Sequence, residues 1–179
     1  MLPYCRNLFL TSLQRLSLLI AMTLFFLPSC KVSYSFTGAS ISPSVKTVTI
    51  PYFPNNAGLV VPTLSRTVTD GLRDYFTSQT NLVQVDRGGD LVLDGSITQY
   101  FVQPVAIQGN ETAAMNRLTI TVSVKFTNKT DPKQNWESSF SRYQDYASSY
   151  NLSAVQEGLI AEITNQLVQD IFNKAVVNW

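Results

Sequence analysis

The stretch Leu118-Thr119-Ile120-Thr121-Val122-Ser123-Val124-Lys125-Phe126-Thr127 puts an apolar side chain at every even position and a hydroxyl or an amine at every odd one. Successive side chains of a β-strand point to opposite faces. This alternation therefore describes a strand in an antiparallel pair, with one face on a core and the other polar.

Working outward, residues 128–135, with Asp131-Pro132, read as a turn, and residues 136–146 return with Trp136, Phe140 and Tyr146 in phase. Ser138, Arg142 and Gln144 weaken that face. Upstream, residues 91–103 place Leu91, Leu93, Ile97 and Phe101 on one face and Asp94, Ser96 and Thr98 on the other. Residues 82–85 form a short apolar run, closed by Asp86-Arg87-Gly88-Gly89-Asp90, which has the composition of a tight hairpin turn. Residues 45–53 read as a strand with Val48, Ile50 and Tyr52 on one side, cut short by Pro51 and Pro54.

Two segments switch to helical spacing. Residues 63–80 follow Pro62, offer Thr and Ser as caps, and repeat apolar groups at Leu64, Val68, Leu72, Tyr75 and Phe76. From Ser153, a cap candidate with Gln156 at the capping-box spacing, Val155, Leu159, Ile160, Ile163, Leu167, Ile171 and Ala175 mark a helix of about six turns. The expected fold is α+β: a single mixed, mostly antiparallel sheet of about four strands, with two helices packed on one face.

Composition narrows the chemistry. The chain has 179 residues, 45% hydrophobic and 14% charged, with 2 Cys and no His. A Ser-His-Asp triad, a Cys-His pair and a His-built metal site are thereby impossible. No convergent acid and base is visible, so neither a catalytic site, a metal nor a cofactor is expected. Thirteen basic against 12 acidic residues give no reason to expect nucleic acid as a partner.

Residues 1–29 carry Arg6 and Arg15, no acidic residue, and an apolar run from Leu16 to Leu27. As a helix that run rises about 18 Å, short of the roughly 30 Å hydrocarbon core, so it reads as the h-region of a signal peptide. Leu27-Pro28-Ser29-Cys30 resembles a bacterial lipobox, in which the Cys is diacylated and becomes the first mature residue. The expected organisation is a lipoprotein signal over 1–29, an acylated tether over 30–44, and one domain over 45–179. The lipid anchor, Cys30, would hold the protein on a membrane that it does not span.

Candidate contact residues are few. Lys125 and Arg142 are cations within strands whose neighbours are small and polar, and such cations suit phosphate groups or acidic loops. They equally suit solvated charges that blunt a sheet edge. Asn116 and Arg117 open the best strand after residues 108–114, a stretch rich in small side chains and a candidate contact loop. Asp86, Asp90 and Asp94 read as turn residues rather than as a Ca²⁺ or catalytic cluster. Trp179 reads as a core or lid residue.

Several blocks together resemble a known family: Cys30 with Tyr34-Ser35-Phe36-Thr37-Gly38, residues 46–53, Asn116-Arg117-Leu118-Thr119-Ile120, residues 139–146, and Ile171-Phe172-Asn173-Lys174 through Asn178-Trp179. In order and number they are similar to the LptE-like lipopolysaccharide-assembly lipoproteins of the Bacteroidetes type. The resemblance implies an outer-membrane lipoprotein that plugs the LptD β-barrel, assists its assembly and helps lipopolysaccharide reach the outer leaflet. It implies LptD, lipopolysaccharide and the membrane as partners, with the body facing the periplasm or barrel lumen. A generic periplasmic ligand-binding lipoprotein and a His-independent envelope enzyme are the alternative readings.

Overall fold

The computed structural model describes residues 41–59, 61–105 and 114–177. The signal segment, Cys30, most of the tether, residues 106–113 and Trp179 lie outside them. In chain order the elements are β1 (Thr47–Thr49), α1 (Leu64–Gln79), β2 (Val83–Gln84), β3 (Leu91–Val105), β4 (Met115–Asn128), β5 (Trp136–Ala147) and α2 (Leu152–Phe172). A 3₁₀ turn at Pro132–Gln134 precedes β5, and a π turn at Asn173–Val177 follows α2. The sheet order is β2-β1-β3-β4-β5, with β1 parallel to both neighbours and β3, β4 and β5 antiparallel. There are five strands rather than about four, the shortest being the two-residue β2.

Strand β4 behaves as its alternation requires. Leu118, Ile120, Val122 and Val124 are fully buried, Phe126 nearly so, and the odd positions from Thr119 to Ser123 are only half-buried. Both helices close the even face. Leu64, Val68, Leu72 and Phe76 of α1 and Ile163, Leu167 and Ile171 of α2 are inaccessible to solvent and join the same core. Each such side chain contributes about 1.5–3 kcal/mol relative to an exposed one. Phe172 locks the two helices together, with Tyr75 and Phe76 both at 5.0 Å in edge-on contact.

Five local expectations are corrected. The 86–90 turn makes no hairpin, because β2 and β3 lie on opposite sides of β1. It is a strap across β1. Gly88 takes φ +80°, Gly89 donates to Thr49 Oγ1 at 3.0 Å, and the Asp90 carboxylate accepts from the Lys46 and Thr47 amides at 2.8 and 2.9 Å. A Cβ on Gly89 would stand 2.8 Å from the Thr49 nitrogen, so only glycine lets the strap lie this close. In β3, the register shifts between Ile97 and Gln99. One extra residue, Thr98, inverts the alternation, so Tyr100 is buried and Phe101 faces out, 40% exposed.

The β1 strand is only three residues long. Val48 and Ile50 are buried but Tyr52 is 57% exposed, and Phe53 takes the core position instead. The α2 cap is Asn151, whose side chain accepts from the Ser153 amide; Gln156 instead donates to the Tyr100 hydroxyl at 2.9 Å. Thr63 stands at the start of α1 without a side-chain cap bond.

The β4–β5 turn is organised by one side chain. Asn128 Oδ1 accepts from the amides of Thr130 and Asp131, and its Nδ2 donates to Gln134 Oε1. That turn sets the register Phe126↔Trp136, and with it every cross-strand pair of the hairpin.

Candidate polar face of the sheet

The odd positions of β4 and their partners form a sheet face that neither helix covers. Register builds it in rungs: Asp94–Lys125–Glu137, Ser96–Ser123–Ser139, Gln99–Thr121–Ser141, Phe101–Thr119–Tyr143 and Gln103–Arg117–Asp145. The middle rungs are small and hydroxylated. Thr121 Oγ1 lies 3.1 Å from Gln99 Oε1 and 3.0 Å from Ser141 Oγ, so hydrogen bonds tie three strands together on the exposed side. Beside them, Asp94, Gly95, Ser96, Ser123, Lys125 and Glu137 line a shallow concavity of about 270 Å³.

The cations of the sequence reading are distributed differently than expected. Lys125 is on the polar face, between Asp94 and Glu137 in register, and forms no ion pair among the described residues. Arg142 pairs with Ile120, a core-facing residue, and so points to the helix side. There its guanidinium meets Asp170 of α2 in a two-pronged contact, with Nη2 at 2.7 Å from Oδ1. The two cations therefore do not share one Ser/Thr face. Asn116 also has helix-side parity, pairing with Pro104 and Tyr146.

Arg117 is on the polar face but its charge is engaged. Its Nε and Nη2 donate to Asp145 at 2.7 and 2.8 Å, and its Cζ sits 3.7 Å from the centre of the Tyr143 ring. The bond to Asp145 raises the Arg117 pKa, and the same bond lowers that of Asp145 against a smaller opposing effect of burial. Asp170 likewise raises Arg142. Sequence spacing does not announce these pairs, since each joins residues 28 positions apart. Only the hairpin register brings Arg117 opposite Asp145, and only the docking of α2 brings Asp170 to Arg142.

Acid sensitivity follows from two carboxylates. Asp90 is lowered below its ordinary 3.8, first by the Lys46 amide and then by Thr47, and Asp145 is lowered by Arg117. A group with a depressed folded pKa gives stability that is present above its unfolded value and is lost as pH falls through the folded one. The urea midpoint should therefore hold steady from pH 7 to about 5 and fall below about pH 4. In Asp90→Asn the further drop between about pH 4 and 2 should be smaller. A native midpoint that does not decline below about pH 4 would contradict this assignment.

No described helix is long and apolar enough to cross a membrane, and no group of three or more His, Cys, Asp or Glu among the described residues could hold a metal ion. The face presents hydroxyls and amides in its middle rungs, Lys125 between the carboxylates of Asp94 and Glu137 at one end, and Phe101, Tyr143 and the Arg117–Asp145 pair towards the other, which is the chemistry of a hydrogen-bonding contact surface.

No curated protein matches the chain. Among solved structures it is similar to a putative neuraminyllactose-binding hemagglutinin homolog from Helicobacter pylori, at 10% identity and TM-score 0.49, covering 79% of this chain and 91% of that one. A minor lipoprotein from Acinetobacter baumannii aligns at 15% identity and TM-score 0.46, covering 69% and 91%. The rare lipoprotein B from Shewanella oneidensis aligns at 16% identity and TM-score 0.43, covering 72% and 92%. A family model described as LptE, lipopolysaccharide-assembly, matches residues 45–175. That span runs from the entry to β1 through the end of α2 and contains every rung of the polar face, and on it the chain belongs to the LptE lipopolysaccharide-assembly family.

Proposed function

We propose that this chain is an outer-membrane lipoprotein, anchored through Cys30, that plugs an LptD-like β-barrel and assists lipopolysaccharide transport without itself catalysing a reaction. One observation carries the reading: a sheet face whose middle rungs, Ser96–Ser123–Ser139 and Gln99–Thr121–Ser141, are hydroxyls and an amide is left open by both helices. A barrel lumen is polar, so a body that fills it needs an outer surface able to hydrogen-bond the wall. The ladder through Thr121 ties the side chains of three strands together, which limits the ordering entropy lost on contact.

Lys125 is the residue proposed to meet a lipopolysaccharide phosphate, because its ammonium is unpaired whereas Arg117 and Arg142 are engaged by Asp145 and Asp170. Asn116 and Arg117 are proposed as barrel contacts at the start of β4. Affinity purification of the lipoprotein from detergent-solubilised envelopes should recover a large β-barrel in equimolar amount. Recovery as a lone monomer would overturn the reading. Lys125→Glu should weaken lipopolysaccharide binding by roughly three- to tenfold, the scale of one lost charge-assisted contact. Unchanged affinity would make Lys125 ordinary surface.

A further inference from the structure

Strand β1 covers only the first part of β3. It pairs with Leu91 and Val92, and the chain touches β3 once more at Asn55↔Ile97. There Ile97 donates its amide to Pro54 and its carbonyl accepts from Asn56, so both polar groups of Ile97 point away from β4. The bulge adds one residue, and the away-pointing positions resume at Tyr100, Val102 and Pro104. Pro104 agrees with this parity: a proline is tolerated in a paired strand where its nitrogen faces an open edge. From Gln99 to Val105, β3 has no neighbour on that side among the described residues.

Natural edges are usually blunted by charge, yet residues 98–105 read Thr-Gln-Tyr-Phe-Val-Gln-Pro-Val, with no charged residue. A mainly apolar groove runs beside them, lined by Leu59, Tyr100, Phe101, Val102 and Leu152 among others, about 630 Å³ in volume. Leu59 is 56% exposed and Val102 38%. Unpaired N–H and C=O groups at strand spacing fit extended backbone, and an uncharged apolar groove beside them fits neutral side chains.

Two other occupants fit less well. Ile41, the first described residue, lies next to Leu91 and Phe126, about nine strand residues or roughly 30 Å from Tyr100, a span that a ten-residue segment ahead of it could bridge only at full extension. A second copy pairing edge to edge would bury a strip of roughly 250 Å² per side, well under the roughly 800 Å² of a stable interface. A partner that already surrounds the body supplies the missing area.

We propose that the open edge of β3, from Gln99 to Val105, adds a neutral extended strand of the barrel partner to the sheet, with one apolar side chain of that strand seated between Leu59 and Leu152. The proposal rests on the plug reading. It is tested by amide hydrogen exchange on the purified lipoprotein, alone and in its complex with the barrel. The Tyr100 and Val102 amides should exchange quickly in the free protein and at least a hundredfold more slowly in the complex. Val102→Pro removes one edge donor without touching the β3–β4 ladder, so it should keep the native melting temperature and weaken the complex at least tenfold. Val102→Ala, which keeps the donor, should weaken it less than threefold. A complex that forms with both amides unprotected overturns the edge proposal alone. Failure of the native chain to form any complex overturns the plug reading and this proposal together. Protection already present in a self-associated free protein assigns the edge to a second copy and also overturns it.

Discussion

Gly95→Val is expected to leave the chain without a stable fold. Gly95 lies in β3 at the same parity as Leu93 and Ile97, facing the core. A Cβ there would stand 2.6 Å from Phe53 Cε1 and closer still to the Ser123 carbonyl oxygen of β4. Neither neighbour can yield. Phe53 is fully buried and its amide donates to Thr69 Oγ1 of α1 at 3.1 Å, while Ser123 is backbone in the middle of the sheet. Overpacking commonly costs about 1–3 kcal/mol; with a branched side chain against backbone we expect at least about 3, a large part of the 5–15 kcal/mol that holds a typical domain. Circular dichroism should show no cooperative melt, or one lowered by more than about 10 °C. The control is Gly158→Ala in α2, where a new Cβ meets nothing within 4 Å and the gain in helix propensity should be about 0.5–1 kcal/mol. A Gly95→Val protein that melts with the native one would mean that Phe53 does not sit on this strand.

Ser123→Trp is expected to abolish recovery of the barrel while leaving the fold intact. Ser123 stands between Ser96 and Ser139 on the polar face, beside the shallow concavity, so an indole there projects outward and clashes with no core group. Surface changes of this kind usually alter stability by no more than about 0.5 kcal/mol. Against a closely fitted wall, the same side chain would hold apart the hydroxyl rungs on both sides. We expect the amount of co-purified barrel to fall at least tenfold, with the melting temperature within about 3 °C of native. Full recovery of the barrel would place the contact elsewhere on the body.

The strands and helices were legible because period is a direct consequence of backbone geometry. In β4 alternation named all five buried apolar residues, and in α2 three-to-four spacing named Leu159, Ile160, Ile163, Leu167 and Ile171 but passed over Thr164, Val168 and Phe172, which widen the buried stripe. What escaped was whatever depends on a single inserted residue or on tertiary placement. The bulge at Thr98 leaves no mark in composition, yet it exchanged Tyr100 for Phe101 in the core. The Asp86–Asp90 segment has the residues of a hairpin, but such residues report only a tight turn, not which strand lies beyond it. The polar face was visible as the odd positions of β4. Which of its cations are engaged was not, because that depended on hairpin register and on where α2 rests. The unpaired edge was hidden for the same reason, since a strand's neighbours are set by topology.

The proposed plug places the hydroxyl face against a barrel wall in the cell. Its most direct test is thiol accessibility at Thr121→Cys and Ser139→Cys in intact envelopes, using a membrane-permeant maleimide, with the purified protein as reference. With the face packed on the wall, labelling should be at least tenfold slower in envelopes than in solution at both positions, with equal rates at an exposed control such as Tyr150→Cys. Equal rates at all three positions would show the face open to water and contradict that packing.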